Sequence, residues 1–171
     1  MYYIGLDQAL RNTGWSIIRY DNKGIKLVDL GVFKTSSDLC LDQRLLNIKN
    51  FTEELILKYA PILICTEYVY QNKVSPSSSR NLIKVEAIVH STIFENKIDY
   101  DIISSSKSKK GGWRKELGIT ESQKKESKLY FENISKDLTE HSSDSLAIIL
   151  VGMLNNNIIA KSDIDDFRRK Q

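Results

Sequence analysis

Only two cysteines, two prolines and two histidines occur in the 171 residues. Cys40 and Cys65 stand far apart with no Cys-x-x-Cys spacing, which argues against a disulfide scaffold and against a cysteine zinc site. No apolar run approaches the ~18 residues of a membrane span, and Met1-Tyr2-Tyr3-Ile4-Gly5 places no basic leader before an apolar stretch. Neither membrane insertion nor ordinary secretion is therefore expected, and an intracellular protein is the natural reading. No internal repeat is visible. With 41% hydrophobic and 27% charged residues the composition is not that of a disordered chain, and the length suits one compact domain.

Net charge is also small, +3, but it is unevenly spread. Residues 104–128 carry a net +5, from Lys107, Lys109, Lys110, Arg114, Lys115, Lys124, Lys125 and Lys128 against three glutamates, and the remaining 146 residues sum to −2. Such a stretch is either a solvated helix face or the electrostatic footprint of a polyanion-binding surface.

Apolar patterning predicts the element order βββαβαβαα. Tyr2–Leu6 reads as a strand ending at Asp7, and Trp15–Tyr20 and Ile25–Phe33 read as a hairpin across the turn Asp21-Asn22-Lys23-Gly24. Residues 38–59 shift to helical spacing, with Ser36, Ser37 or Asp38 available as N-cap, and Pro61 separates them from the wholly apolar strand Ile62–Cys65. Gln71–Ser79 reads as a loop, Arg80–Glu95 as a helix, Ile98–Ile103 as a strand, Ser104–Gly112 as a loop, and Glu121–Phe131 and Glu140–Leu154 as helices. This order predicts a five-stranded mixed sheet with helices on both faces, formed by residues 1–155, and a polar tail over 156–171. The helix over 80–95 has more apolar residues than one narrow stripe needs. Leu82, Val85, Val89 and Ile93 either meet a second subunit or pack into the monomer core.

Asp7 and Glu67 each close a strand of otherwise apolar residues, where an unpaired buried charge costs several kcal/mol. Each either merely opens an exposed loop or, if the two strands are adjacent and parallel, both carboxylates project at the carboxyl edge of the sheet, where open α/β sheets bind ligands. His141 and Asp144 are spaced i, i+3 at the start of a helix whose remainder is nearly all apolar, and Ser142, Ser143 and Ser145 leave room for close approach. His141 is then either a surface or capping residue, or the imidazole of a site with three carboxylates. That donor set suits Mg²⁺ or Mn²⁺, and two such ions can activate a water and stabilise the leaving oxygen of a phosphodiester.

The segments Ile4-Gly5-Leu6-Asp7 through Thr13-Gly14-Trp15, Ile64-Cys65-Thr66-Glu67-Tyr68-Val69-Tyr70 and His141-Ser142-Ser143-Asp144-Ser145-Leu146-Ala147 resemble, in order and separation, the three acidic motifs of RuvC-type Holliday junction resolvases. Trp113 to Gly118 resembles the smaller phage-type members. The resemblance spans nearly the whole chain and implies a ribonuclease H-like fold. It further implies a homodimer whose two sites, with two Mg²⁺ or Mn²⁺ ions each, make paired nicks in a four-way DNA junction. Asp7, Glu67, His141 and Asp144 become the catalytic and metal-binding residues. Tyr70 falls at the aromatic that stacks on junction bases, Lys124 at a basic residue near the DNA backbone, and Arg114 or Lys115 at a second one. Lys73, Arg80, Lys107, Lys109 and Lys110 join them on the expected DNA-binding surface, and Leu82, Val85, Val89 and Ile93 form the expected dimer interface. Where the family usually has Pro-Gly after its first Asp, this chain has Gln8-Ala9. The expected setting is the cytoplasm of a bacterial cell, with a phage-encoded origin as the other reading.

Two other classes compete with a metal-dependent junction endonuclease. One is a ribonuclease H-like nuclease acting on flaps, forks or RNA–DNA hybrids; the other is a junction-binding protein without catalysis, which would lack an acidic ligand. An actin-type ATPase would need a second Gly-rich phosphate loop, and the sequence has none.

Overall fold

A computed structural model describes residues 1–68, 76–104, 116–118 and 126–169. Its sheet contains β1 (Tyr2–Asp7), β2 (Asn12–Asp21), β3 (Gly24–Lys34), β4 (Leu63–Glu67) and β5 (Asp99–Ile103), in the spatial order β3-β2-β1-β4-β5. The first three strands pair antiparallel, and β1/β4 and β4/β5 pair parallel, so the expected mixed sheet is present.

Side-chain alternation along the central strands divides the core in two. Ile4, Leu6, Ile17 and Ile64 point to one face, where they meet α1 (Leu41–Tyr59) and α2 (Pro76–Glu95) through Ile48, Leu55, Val85, Val89 and Ile93. Tyr3, Ile18, Leu63 and Cys65 point to the other, against the apolar body of α4 (Glu140–Asn155) and Phe131, which follows the short α3 (Glu126–Tyr130). β4 is buried along both faces up to Glu67, as its continuous apolar run predicts. Both cysteines are free thiols. Among the described residues, no helix is long and apolar enough to cross a membrane.

Four expectations are corrected. α1 starts at Leu41 rather than at residue 38, with Cys40 in the cap position and its N–H donating to Gln43 Oε1 at 3.2 Å. α2 begins at Pro76, inside the segment expected as a loop, because proline suits the first helical turn, where an N–H would find no partner. The polar tail over 156–171 instead holds α5 (Lys161–Arg169), because Ile164 and Phe167, one turn apart, are buried in the core where this helix packs near β3. Finally, Val85, Val89 and Ile93 are fully buried within the monomer, and Leu82 is half-buried. The inward stripe of α2 fills the space between α1 and the sheet, so Val85, Val89 and Ile93 cannot form a dimer interface.

Candidate active site

β1 and β4 carry the first two acidic residues to one edge of the sheet. The last paired residues of their parallel ladder are Leu6 and Thr66, so Asp7 and Glu67 stand one step beyond on neighbouring strands spaced about 4.8 Å apart. Alternation decides their direction. Asp7 follows Tyr3 and Gly5, and Glu67 follows Leu63 and Cys65, so both fall in phase with the strand positions that face α4.

α4 is seated directly on those strands. A Cβ on Gly5 would strike the Ser145 carbonyl oxygen, and one on Gly14 would strike the His141 carbonyl oxygen, so only glycine allows this approach. Ser142, Ser143 and Ser145 are fully buried, and their hydroxyls turn back onto the helix: Ser143 Oγ donates to the Glu140 carbonyl and Ser145 Oγ to the Ser142 carbonyl, both at 2.8 Å. The start is fixed by Thr139, whose Oγ1 accepts from Ser142 N–H at 3.1 Å while Ser142 Oγ accepts from Thr139 N–H at 2.9 Å.

This seating brings His141 to Asp7, with Nδ1 donating to Oδ2 at 2.8 Å. The Asp7 side chain is only 14% exposed and that of His141 39%. The hydrogen bond to Asp7 raises the His141 pKa above the ordinary imidazole value; burial opposes this, and the charges of Asp7, Glu140 and Asp144 reinforce it. Asp144 lies one turn further along α4 and is half-buried. Among the described residues no three His, Cys, Asp or Glu side chains already converge as an ion cage; Asp7 is instead partnered by the His141 proton. The donor chemistry fits a divalent cation, because carboxylate-bearing positions of β1, β4 and α4 share one face and the His141 proton holds the place at Asp7 that a cation would take.

The other histidine lies beneath β4. His90 Nε2 shares a 2.9 Å hydrogen bond with Thr66 Oγ1, and its ring stacks on Tyr100 at 4.9 Å. Burial lowers its pKa, against the opposing charge of Glu86. The two imidazoles, the only ones in the sequence, should therefore titrate on opposite sides of the usual value near 6.5 in an NMR titration of the metal-free protein. His141 contributes stability that is complete below about pH 6.5 and lost as pH rises through its raised pKa, whereas His90 costs stability as pH falls below about 6.5. Finding His141 to be the lower of the two would contradict the Asp7 contact.

The loop after Asp7 is braced by residues to which the sequence reading assigned no role. Thr13 Oγ1 donates to the Ala9 carbonyl at 2.8 Å, and Arg44 donates to Thr35 Oγ1 at 2.9 Å and to the Leu10 carbonyl at 3.2 Å. Among the residues expected to touch DNA, Arg80 is exposed near the start of α2. Tyr70, Lys73, Lys107, Lys109, Lys110, Arg114, Lys115 and Lys124 lie outside the described residues.

Residues 3–152 match the family model described as crossover junction endodeoxyribonuclease RuvC. A protein of that description from Orientia tsutsugamushi (strain Boryong) is 30% identical over 161 residues, covering 92% of this chain and 98% of its own length. Among solved structures, Thermus thermophilus RuvC in complex with a Holliday junction substrate superposes with a TM-score of 0.74 at 17% identity, covering 92% of this chain and 96% of that one. Fowlpox virus resolvase with Holliday junction DNA gives 0.56 at 16% identity, covering 94% and 100%.

Proposed function

The chain belongs to the RuvC family of crossover junction endodeoxyribonucleases, and from that premise we propose that Asp7, Glu67, His141 and Asp144 are its catalytic metal-binding residues, with two Mg²⁺ or Mn²⁺ ions per site. It is a junction-resolving, metal-dependent endonuclease with a ribonuclease H-like fold, and its partner is branched DNA. The observation that supports the site assignment is that β1 and β4 end side by side in Asp7 and Glu67, in phase with the positions that face α4, whose first turn contacts Asp7 through His141. When bound, the ions lower the pKa of a water and offset charge on the leaving oxygen of the phosphodiester.

The residues of the chain set the geometry for that chemistry. β1 and β4 hold Asp7 and Glu67 side by side, and the cap at Thr139 holds His141 and Asp144 above them. To serve as a ligand His141 must be the neutral imidazole, so activity is expected to fall as pH drops below its raised pKa. Lys73, Arg80, Lys107, Lys109, Lys110, Arg114, Lys115 and Lys124 carry the DNA backbone in this reading, supported by the positive charge concentrated in residues 104–128. Tyr70 stacks on unpaired bases at the crossover. The setting is the bacterial cytoplasm, as the bacterial relatives suggest.

End-labelled four-way junction, fork, flap, RNA–DNA hybrid and linear duplex, each incubated with Mg²⁺, Mn²⁺ or EDTA, test the substrate. The junction should be cut fastest, with either metal and not in EDTA. Faster cutting of flaps or hybrids would replace the junction as substrate, and junction binding without any cleavage would leave a scaffold.

Paired nicks at a twofold-symmetric junction call for two sites related by a twofold axis, and we place the homodimer contact on the outer face of α2. Ile83, Ala87 and Phe94 are exposed there, Phe94 to 77%, beside exposed Tyr100 and Ile102 of β5. Sedimentation should show a dimer at micromolar concentration, and Phe94→Glu a folded monomer. A wild-type protein that remains monomeric both free and on the junction would remove this interface.

A further inference from the structure

The parallel ladder between β1 and β4 ends at Leu6 and Thr66, yet the backbone of Glu67 is still paired toward β1. Its partner there is a side chain. Gln8 Nε2 donates to the Glu67 carbonyl oxygen, and Gln8 Oε1 accepts from the Glu67 N–H at 3.1 Å. Gln8 is only 4% exposed. A primary amide is the one side-chain group that presents a donor and an acceptor side by side, as a neighbouring strand does, and only Gln and Asn carry it. On the opposite side the tip of β4 is held by β5, where the Ile103 carbonyl accepts from Tyr68 N–H at 2.9 Å. Below, Thr66 is tied to His90.

Gln8 is bonded covalently to Asp7 and by two hydrogen bonds to Glu67, so one residue couples the two carboxylate-bearing backbones. Proline, found here in the family pattern, can make neither bond. We infer that Gln8 is a positioning residue of the active site, whose side-chain amide extends the β1–β4 ladder by one step and sets the spacing of Asp7 from Glu67. It rests on the site proposed above and adds a component that neither the acidic motifs nor the family resemblance contains.

Gln8→Met tests it, because methionine keeps the length and the burial while removing both hydrogen bonds, with Gln8→Ala as a second variant. Three readouts are needed: steady-state kcat and KM on a four-way junction, Mn²⁺ affinity of the free protein by electron paramagnetic resonance, and junction affinity in EDTA. Residues that orient metal ligands typically change affinity or activity by roughly 10–100-fold. Both variants should therefore lose about 10–100-fold in kcat and in Mn²⁺ affinity, with KM and junction affinity within about twofold of wild type.

Wild-type kcat and Mn²⁺ affinity in folded Gln8→Met would overturn the inference. So would failure of both variants to fold, which would make the amide a requirement of the fold rather than of the site. Asp7→Asn separates this from the underlying reading: if that variant still cleaves, the site assignment fails, whereas an inactive Asp7→Asn beside a wild-type-like Gln8→Met removes only the role of Gln8.

Discussion

Asp7→Asn is expected to lower junction cleavage by about 10³-fold at saturating metal, because in the proposed site it removes a ligand charge from the centre that stabilises the transition state. The shape of the residue is preserved and the variant amide oxygen can still accept from His141 Nδ1, so the fold and the seating of α4 are retained. Junction affinity measured in EDTA should stay within about twofold, since the proposed phosphate contacts are made by basic residues and not by a carboxylate. His141 reports the same change independently. Its pKa is raised chiefly by Asp7, so the substitution should bring its titration back toward that of an ordinary imidazole. Near-normal turnover by Asp7→Asn would show that the catalytic centre lies elsewhere, even if the His141 shift were observed.

Val89→Glu is expected to destabilise the fold by about 3–5 kcal/mol or more. Val89 is fully buried on the inner stripe of α2, in one cluster with Ile4, Leu6, Ile17 and Ile64. A carboxylate there has no cation to pair with in that apolar cluster, and an uncompensated buried charge costs about 3–5 kcal/mol or more. The whole stability of a domain is about 5–15 kcal/mol, so a large share of it would be lost. Phe94→Glu, on the outer face, should change monomer stability by no more than about 0.5 kcal/mol. Denaturant unfolding of the two variants side by side therefore distinguishes core from surface on a single helix. A well-folded Val89→Glu protein would mean that α2 is rotated relative to this description.

The orientation of α2 is not legible in the sequence, for a physical reason. Both of its stripes are apolar, Val85, Val89 and Ile93 on one side and Ile83, Ala87 and Phe94 on the other. Helical periodicity identifies such stripes but cannot say which one faces the sheet, because that depends on where α1 lies. The strands were legible for the opposite reason. A period of two assigns each residue of β1 and β4 to a face, and the apolar run of β4 requires cover on both sides, which places it inside the sheet, between β1 and β5. Asp7, Glu67, His141 and Asp144 were visible as charges at the ends of apolar elements. Gln8 was not, because its partner is 59 residues away in sequence and the pairing exists only once β1 and β4 are neighbours. α5 was missed because just two apolar residues, Ile164 and Phe167, anchor an otherwise charged segment.

The most direct measurement of the account as a whole is cleavage of a supercoiled plasmid that extrudes a cruciform, followed over time with Mg²⁺, Mn²⁺ or EDTA. Two coordinated nicks across the junction convert the supercoil directly to linear DNA. The account predicts linear product from the earliest times with either metal, none in EDTA, and none from a plasmid lacking the cruciform. Accumulation of nicked circles without linear product, or equal cutting of the plasmid without a cruciform, would contradict it.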